Sequence, residues 1–571
     1  MTPGPLAQPD RPLSPAQFGR VQLWVLAVLI AVTIAAGSLG GIHHLTAQFM
    51  REQDLAVALV FVIAAVMIGW RQSWLEKFWP QSQWGMFSTA ALLASGVFVA
   101  GAAGTYIVFG NFPLSLDEFW ARADGEILAR GVPLAQIPPE WREFAPAMQP
   151  VFTRLLPEEG LWASSYLPVN AAIQQLLGPF ASPAMSAGSV MLAALIARKL
   201  LPDQPSAPII VAVLMATSAQ LVVTAMTPYA MAGHLFFNLA WLWLFLMRKS
   251  WTTLLSLIPA ALAMGLHQSA FFPLFALPFL LERFLAGERI LACLYVVAIG
   301  AGFLAWGSYD LFAYAWLGVQ PDGGEAAGLA RQIGIFIERF TDGGMLSLAL
   351  MAANLLRFAL WQNPVVIPLI LCAAWPIARL ADGAPRELRA MLLGLIGTII
   401  FMTLVIPLQG HGWGYRYLHG FLGSAAIIAA FAWGHMTRKG GSGGGRALLI
   451  GMTALAAVLL PVRAWQAHSF AAPYVAADQT LDAWHSGGKG AAVIIVDAPA
   501  HAFASDLVRN DPWLETGAKR LDARALTREQ FARLCQQHDL RIFADKDAAE
   551  VGIPLLSEDL RREPRFPDGC V

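Results

Sequence analysis

Charge is scarce in this sequence: Asp, Glu, Lys and Arg make up 13% of the 571 residues, against about 25% in soluble globular domains. The 38 basic residues balance 38 acidic ones, so no surplus of positive charge marks the chain for nucleic acid. Cysteine is scarce too. Cys293, Cys372, Cys535 and Cys570 stand far apart and form no metal-ligand pattern. Cys293 and Cys372 lie in apolar stretches, where they are expected to pack. Cys535 and Cys570 admit two readings, a disulfide in an oxidising compartment or two free thiols. No internal repeat is visible. The run Lys439–Gly445 lacks the Lys-Ser/Thr that a phosphate-binding loop needs and reads as a flexible linker. No cleavable signal is expected. Residues 1–20 are polar and Pro-rich and read as a short cytoplasmic tail, and Val21–Gly40 reads as a helix that stays in place.

What the chain has in abundance is apolar sequence, 57% by residue. A membrane-crossing helix needs about 20 mostly apolar residues. About thirteen stretches qualify on that rule: 21–40, 55–70, 86–109, 182–200, 207–226, 229–247, 251–266, 270–286, 289–312, 362–379, 387–408, 417–436 and 446–463. Met345–Leu360 is also apolar but contains Asn354 and Arg357, and reads either as a further span or as an interfacial helix. With the N-terminus inside, every inside loop carries at least two Lys or Arg, for example Arg71 and Lys77, Arg198 and Lys199, and Arg248 and Lys249, as the positive-inside rule demands. The regions 110–181, 313–361, 409–416 and everything after Arg463 then fall outside. In the tail, Ala491–Asp497 and Leu540–Ala544 read as strands. His501–Arg509 and Thr527–His538 read as helices, which makes a small α/β unit. The expected fold is therefore an all-α polytopic membrane protein with a small outer α/β domain. Its parts are the tail 1–20, two additional spans in 21–83, a transmembrane core 84–463 with the outer loop 110–181, and the α/β domain 464–571.

Three constellations could carry chemistry on the outer face. Asp117 and Glu118 follow a span directly, where ionisable groups are costly and tend to be functional. A carboxylate partly shielded from water gains proton affinity and suits a general base. Ser115 and Glu118 also fit a capping box, so Glu118 can cap while Asp117 faces a cavity. In Gln409–His419 three glycines allow a close backbone approach, and Arg416 stands among aromatics. Its planar guanidinium suits a phosphate, with Tyr415 and Tyr417 beside it. Lipid headgroups offer Arg416 an alternative partner. His234, His267 and His411 are candidates for substrate binding. Taken singly, His234 and His267 also read as buried, hydrogen-bonded histidines. No second ligand three or four residues away supports a metal site.

The stretch from about Trp84 to Arg463 resembles the GT-C superfamily of integral-membrane glycosyltransferases, with greatest likeness to bacterial relatives of protein O-mannosyltransferases and of the aminoarabinose transferases that modify lipid A. Three features carry the likeness. They are the acidic pair opening Asp117-Glu118-Phe-Trp-Ala-Arg-Ala, the stretch Ser165-Tyr-Leu-Pro-Val169, and Gly414-Tyr-Arg-Tyr-Leu418 at the head of a late span. The resemblance implies Asp117 as general base and Arg416 as the contact to the donor phosphate. It further implies a polyprenyl-phosphate-sugar donor, a lipid, glycan or protein acceptor, and a bacterial inner-membrane location with the site facing the periplasm. It leaves room for a divalent metal and fixes no cofactor. Two departures stand out. Three spans precede the acidic loop where the family usually has one, and Tyr229-Ala-Met-Ala-Gly-His234 carries no acid where many relatives have one. The rival classes are a lipid-linked glycan flippase or solute transporter, a surface-polysaccharide ligase or polymerase, and a non-catalytic assembly protein. Transport usually brings repeats and mid-membrane helix breaks.

Overall fold

The computed structural model describes residues 24, 27–28, 31, 45–70, 85–148, 152–319, 345–405, 409–440, 443–486, 492–555, 565–566 and 570. The tail 1–20 and nearly all of the expected span 21–40 lie outside the described residues.

The chain is a multi-pass membrane protein. Among the described residues six helices are long and apolar enough to cross a bilayer: Met86–Ile107, Val169–Leu200, Arg289–Gly307, Arg386–Val405, Arg416–Thr437 and Arg446–Ser486. Each contains one of the expected spans or most of it. The Arg289–Gly307 helix keeps apolar side chains on its outside, as lipid contact requires, whereas Arg416–Thr437 is almost wholly buried within the bundle. Ile290 is 80% and Val297 69% exposed. Other expected spans fold as shorter helices, among them Leu55–Trp70, Met231–Leu246, Ser250–Met264 and Phe271–Leu285. The expected span 207–226 is two helices, Ala207–Ala216 and Ala219–Thr224, because Ser218 Oγ caps the second by accepting from Leu221 N at 3.1 Å.

Met345–Trp361 is a helix that turns sharply into Val366–Ala378, the two meeting at 109° between Leu348–Trp361 and the second half. The polar residues that complicated its reading point inward. Asn354 accepts from Thr46 Oγ1, and Arg357 is fully buried against Asp54.

Two small sheets complete the fold. In the loop after the Met86–Ile107 span, β1 (Ala135–Gln136), β3 (Leu161–Ser164) and β2 (Thr153–Leu156) pair antiparallel in the order β1-β3-β2. Sequence analysis had no strand there. The tail forms a parallel sheet in the order β5-β4-β6, from β4 (Val493–Asp497), β5 (Lys519–Asp522) and β6 (Leu540–Ala544). All five residues of β4 are buried, which explains why its unbroken apolar run reads as a central strand. The strand β5 went unread because Lys519-Arg-Leu-Asp522 lacks an apolar run. Its polar side chains are nonetheless buried. The helix expected over His501–Arg509 is replaced by a single 3-10 turn, Ala504–Leu507, among loops. The helix Arg528–Gln537 opens with a Thr527/Gln530 capping box.

The boundary expected at 463/464 falls inside a continuous helix, Gly443–Ser486, that runs on toward the α/β unit. The glycine run is largely absorbed into helix ends, at Gly440 and from Gly443. Cys535 and Cys570 form a disulfide. Cys293 is exposed on its apolar helix rather than packed.

Candidate active site

The acidic pair divides its labour at a helix start. Ser115 caps the helix Leu116–Ala129, and Glu118 completes the box: its Oε2 accepts from Ser115 N at 2.7 Å. Glu118 is buried, and burial pushes its carboxyl up to about 7, although the bonds from Ser115 pull the other way. With Glu118 turned back onto the cap, Asp117 is free to face inward. Its Oδ1 accepts from the Tyr166 hydroxyl at 2.5 Å and its Oδ2 from Arg416 Nη1 at 2.7 Å.

Arg416 reaches Asp117 because its loop is tied down by side-chain amides. Gln409 Nε2 donates to Gly414 O at 2.9 Å, and Gln409 Oε1 accepts from Arg416 N at 3.1 Å. Gln220 Nε2 donates to Tyr415 O at 2.9 Å and is itself held by Gln362. Gly414 has φ +69, and a Cβ there would sit 2.4 Å from Gln220 Oε1. Only glycine satisfies both the left-handed backbone and the close approach. The Arg416 guanidinium lies 5.2 Å from the Tyr417 ring and 5.6 Å from the Tyr229 ring. Asp117 and Arg416 are 299 residues apart, and their side chains are only 8% and 12% exposed.

This pairing corrects one expectation. Burial raises the proton affinity of Asp117, but the Arg416 charge and the Tyr166 hydrogen bond outweigh it and hold the carboxyl below its usual range. Asp117 is thus an ionised, masked carboxylate in this state, not one of raised affinity.

Asp117 also lines a small cavity with Trp120, Asp124, Asn170, Tyr229 and His267. Its open volume is about 10 Å³, room for about one water. Around it, Trp120 Nε1, Asn170 Oδ1 and His267 Nδ1 are buried without a protein partner among the described residues. Buried polar atoms are normally paired, so such a concentration marks a place built to meet something else.

Asp124, Tyr166, Asn170 and Tyr229 line the same cavity, and none of them is among the candidates the sequence offers. For Asp124 a signal was present: it lies seven positions after Asp117, hence on the same helix face. Burial raises its carboxyl to about 6, against the bonds donated by Ser164 N and Oγ.

The other candidates sort by distance from this centre. His267 belongs to it, its ring stacked 4.1 Å from Tyr166. Tyr417 flanks Arg416, whereas Tyr415 is fully buried and contributes its carbonyl to the loop tie. His234 is buried one ring further back, 5.1 Å from Phe271, which stacks on Tyr417 at 5.9 Å. His411 turns away. Its ring packs 4.1 Å from Phe503 and its Nε2 is 3.5 Å from Asp506. The α/β unit thereby touches the Arg416 loop, and it also grips the segment before Ser115, where Arg509 Nη2 donates to Leu114 O at 2.6 Å. Among the described residues no three His, Cys, Asp or Glu side chains are placed to hold a metal ion.

Fold and cluster together define a multi-pass membrane protein with a buried carboxylate–arginine–tyrosine centre, where a helix bundle meets an α/β unit. The fold is similar to the oligosaccharyltransferase of Archaeoglobus fulgidus, solved tethered through a disulfide to an acceptor peptide containing the NVT sequon, at 12% identity and a TM-score of 0.42 over 76% of this chain. The chain spans 64% of the length of that oligosaccharyltransferase. It is also similar to ArnT from Cupriavidus metallidurans in the apo state, at 11% identity and a TM-score of 0.44, covering 75% of this chain and 85% of that one. Both are GT-C glycosyltransferases. No protein-family model and no curated protein matches the chain.

Proposed function

We propose that the protein is an inverting glycosyltransferase that moves a sugar from a polyprenyl-phosphate donor to a hydroxyl of a lipid, glycan or protein acceptor. In this reading the thirteen spans run with the N-terminus inside, and the centre faces the periplasm from a bacterial inner membrane. The observation that carries the reading is the buried contact between Asp117 Oδ2 and Arg416 Nη1. It brings the expected base and the expected phosphate ligand to one point.

The resting contact gives the mechanism its order. The donor phosphate competes with Asp117 for the Arg416 guanidinium. Once that charge is engaged elsewhere, Asp117 loses the pull of Arg416 and keeps the weaker one of Tyr166 against its burial, so its proton affinity rises. The acceptor hydroxyl then attacks the anomeric carbon. Its proton passes to Asp117, the bond from the anomeric carbon to the phosphate oxygen breaks, and the departing polyprenyl phosphate keeps the electron pair. Arg416 stabilises the charge that develops there. Tyr166 holds the second oxygen of Asp117 and so aims the base, while Tyr417 and Tyr229 confine the guanidinium.

A lipid donor is supported by an apolar cavity of about 510 Å³ between Met345–Trp361, Val366–Ala378 and Arg386–Val405. One wall is Leu418, two residues beyond Arg416, and others include Phe358, Ile370 and Ile399.

The test is turnover. Purified protein supplied with polyprenyl-phosphate sugars is expected to release polyprenyl phosphate, and Asp117→Asn and Arg416→Ala are expected to lose that release while remaining folded. Full activity in Asp117→Asn would remove the base from this scheme.

A further inference from the structure

One short stretch of the α/β unit, residues 503–509, reaches both halves of the buried centre. At one end Phe503 packs its ring 4.1 Å from His411, in the loop that carries Arg416. At the other end the Arg509 guanidinium forks onto the two carbonyls that precede the Ser115 cap. Its Nη1 donates to Pro113 O, and its Nη2 to Leu114 O at 2.6 Å. Asp117 stands in the first turn of the helix that this cap starts. The base and the arginine thus come from distant parts of the chain, and a third part holds the segment beneath each.

The stretch has a firm backing. Asn510, next to Arg509, pairs with β5: its Oδ1 accepts from Arg520 N and its Nδ2 donates to Arg520 O, both at 2.8 Å. The Arg520 side chain is held in turn by Asp478 and Asp482 on the long helix, at 2.5 and 2.7 Å. Tyr474 of the same helix donates to Ala502 O at 2.8 Å. Arg509 Nε donates to Asp506 O at 2.5 Å, so all three guanidinium nitrogens have partners, and the Phe112 ring lies 4.3 Å from the group. A planar fork fixes direction as well as distance, which a lysine ammonium does not. Phe503 has φ +51, a left-handed conformation that bulky side chains seldom adopt. Strain of this kind persists where the surroundings impose it, and it clusters at functional sites. His411 is gripped from its other side as well. Its carbonyl accepts from the Tyr229 hydroxyl at 3.2 Å, and the Tyr229 ring borders the Arg416 guanidinium.

We infer that the α/β unit sets the register of Asp117 against Arg416, with Arg509 as a positioning residue for Asp117 and Phe503 as one for Arg416. Both act through the backbone segments they hold, not on the reacting groups. A misplacement of about 1 Å costs a catalytic group about 10²-fold, so a clamp on both segments has leverage on turnover. The clamp itself stands on the contacts. Its catalytic consequence rests on the glycosyltransferase reading.

Two readouts on the full-length protein in detergent test this: release of polyprenyl phosphate, resolved into kcat and donor KM, and backbone hydrogen exchange by mass spectrometry. Arg509→Lys keeps the charge and loses the fork. Its kcat is expected to fall about tenfold or more with donor KM within about twofold, and exchange is expected to rise at 113–119 but not in β4. Phe503→Ala is expected to raise donor KM about fivefold with a smaller change in kcat, and to raise exchange at 409–416. Arg533→Met breaks an exposed ion pair with Glu143, 2.6 Å long, between the same α/β unit and the same outer loop. It is expected to alter neither readout. Wild-type kcat in a folded Arg509→Lys, unchanged exchange in both variants, or exchange that rises evenly through the α/β unit would overturn the inference. Locally raised exchange at 113–119 and 409–416, in a protein whose wild type releases no polyprenyl phosphate, would support the clamp and sink the transferase reading alone.

Discussion

Two carboxylate–arginine centres among the described residues, at Asp54 and at Asp117, are built to opposite ends. At Asp54 the carboxylate takes three donors: Arg357 Nε donates to Oδ2 at 3.0 Å, and Trp361 Nε1 and Arg463 Nη1 donate to Oδ1 at 2.9 and 2.8 Å. Asp54 and Arg357 are 0% exposed, and the centre ties together three distant parts of the chain. At Asp117 each oxygen has one protein donor, the side chain is 8% exposed, and a cavity with unpaired polar atoms adjoins it. The first is a brace that joins one carboxylate to three other side chains. In the proposed mechanism the second keeps acceptor sites for a substrate and a guanidinium that changes partners. The two are linked: Arg357 Nη2 donates to Gly412 O at 3.4 Å, in the loop that carries Arg416.

Mutations at the two centres should therefore fail in different ways. Asp117→Asn is expected to lower turnover by roughly 10²–10⁴-fold, read as release of polyprenyl phosphate, while the thermal transition of the purified protein stays near that of the wild type. A large drop in that transition would make Asp117 a second brace and erase the distinction. Asp54→Asn is expected to do the reverse. Removing one charge from a buried network costs about 3–5 kcal/mol, so the thermal transition should fall steeply, with turnover per folded molecule largely kept. An unchanged transition would show that Asp54 is not holding the bundle together.

Gly414→Ala sharpens the link between the centres. The left-handed backbone alone costs a side chain about 1–2 kcal/mol, and Gln220 must give way as well. The expected result is a modest loss of stability with a raised KM for the lipid donor, because the displaced loop carries Arg416. A KM unchanged in a folded Gly414→Ala would show that the loop tie does not position the arginine.

The smallest effect is a pH dependence at Glu118. Its folded carboxyl titrates near 7, raised by burial from 4.5. Between those values the folded protein holds a proton that the unfolded chain has released, so stability is present below 4.5 and is lost as pH rises through 7. Glu118→Gln keeps the cap and cannot ionise. Its thermal transition should match the wild type near pH 5 and exceed it by a few degrees near pH 8. Parallel curves for the two proteins would show that Glu118 is not buried as described.

How much of this was legible beforehand follows from range. The long apolar helices and the capping box at Ser115 and Glu118 are set by residues within a few turns of one another, and they read directly. Asp117 and Arg416 stand out in the sequence as candidates, because charge is conspicuous in apolar surroundings. Their contact was invisible, since nothing local encodes a meeting across 299 positions. The strand Lys519–Asp522 was hidden because its burial comes from the fold around it and not from apolar side chains. Asp54, Arg357 and Arg463 were hidden for a related reason: each looks like a stray charge until the others are beside it. The charge state of Asp117 is not legible in the sequence either. The sequence allows for burial and cannot show the arginine that outweighs it.

The central claim is that Asp117 and Arg416 act as one centre on one reaction. The most direct measurement is the release of polyprenyl phosphate by the wild type, Asp117→Asn, Arg416→Ala and the double variant, all checked for folding. If the two residues serve the same transition state, the double variant should be about as slow as the worse single one, since groups that act as a unit do not lose their effects twice. Losses that multiply in full would mean that the two residues act independently and that their contact is incidental to the chemistry.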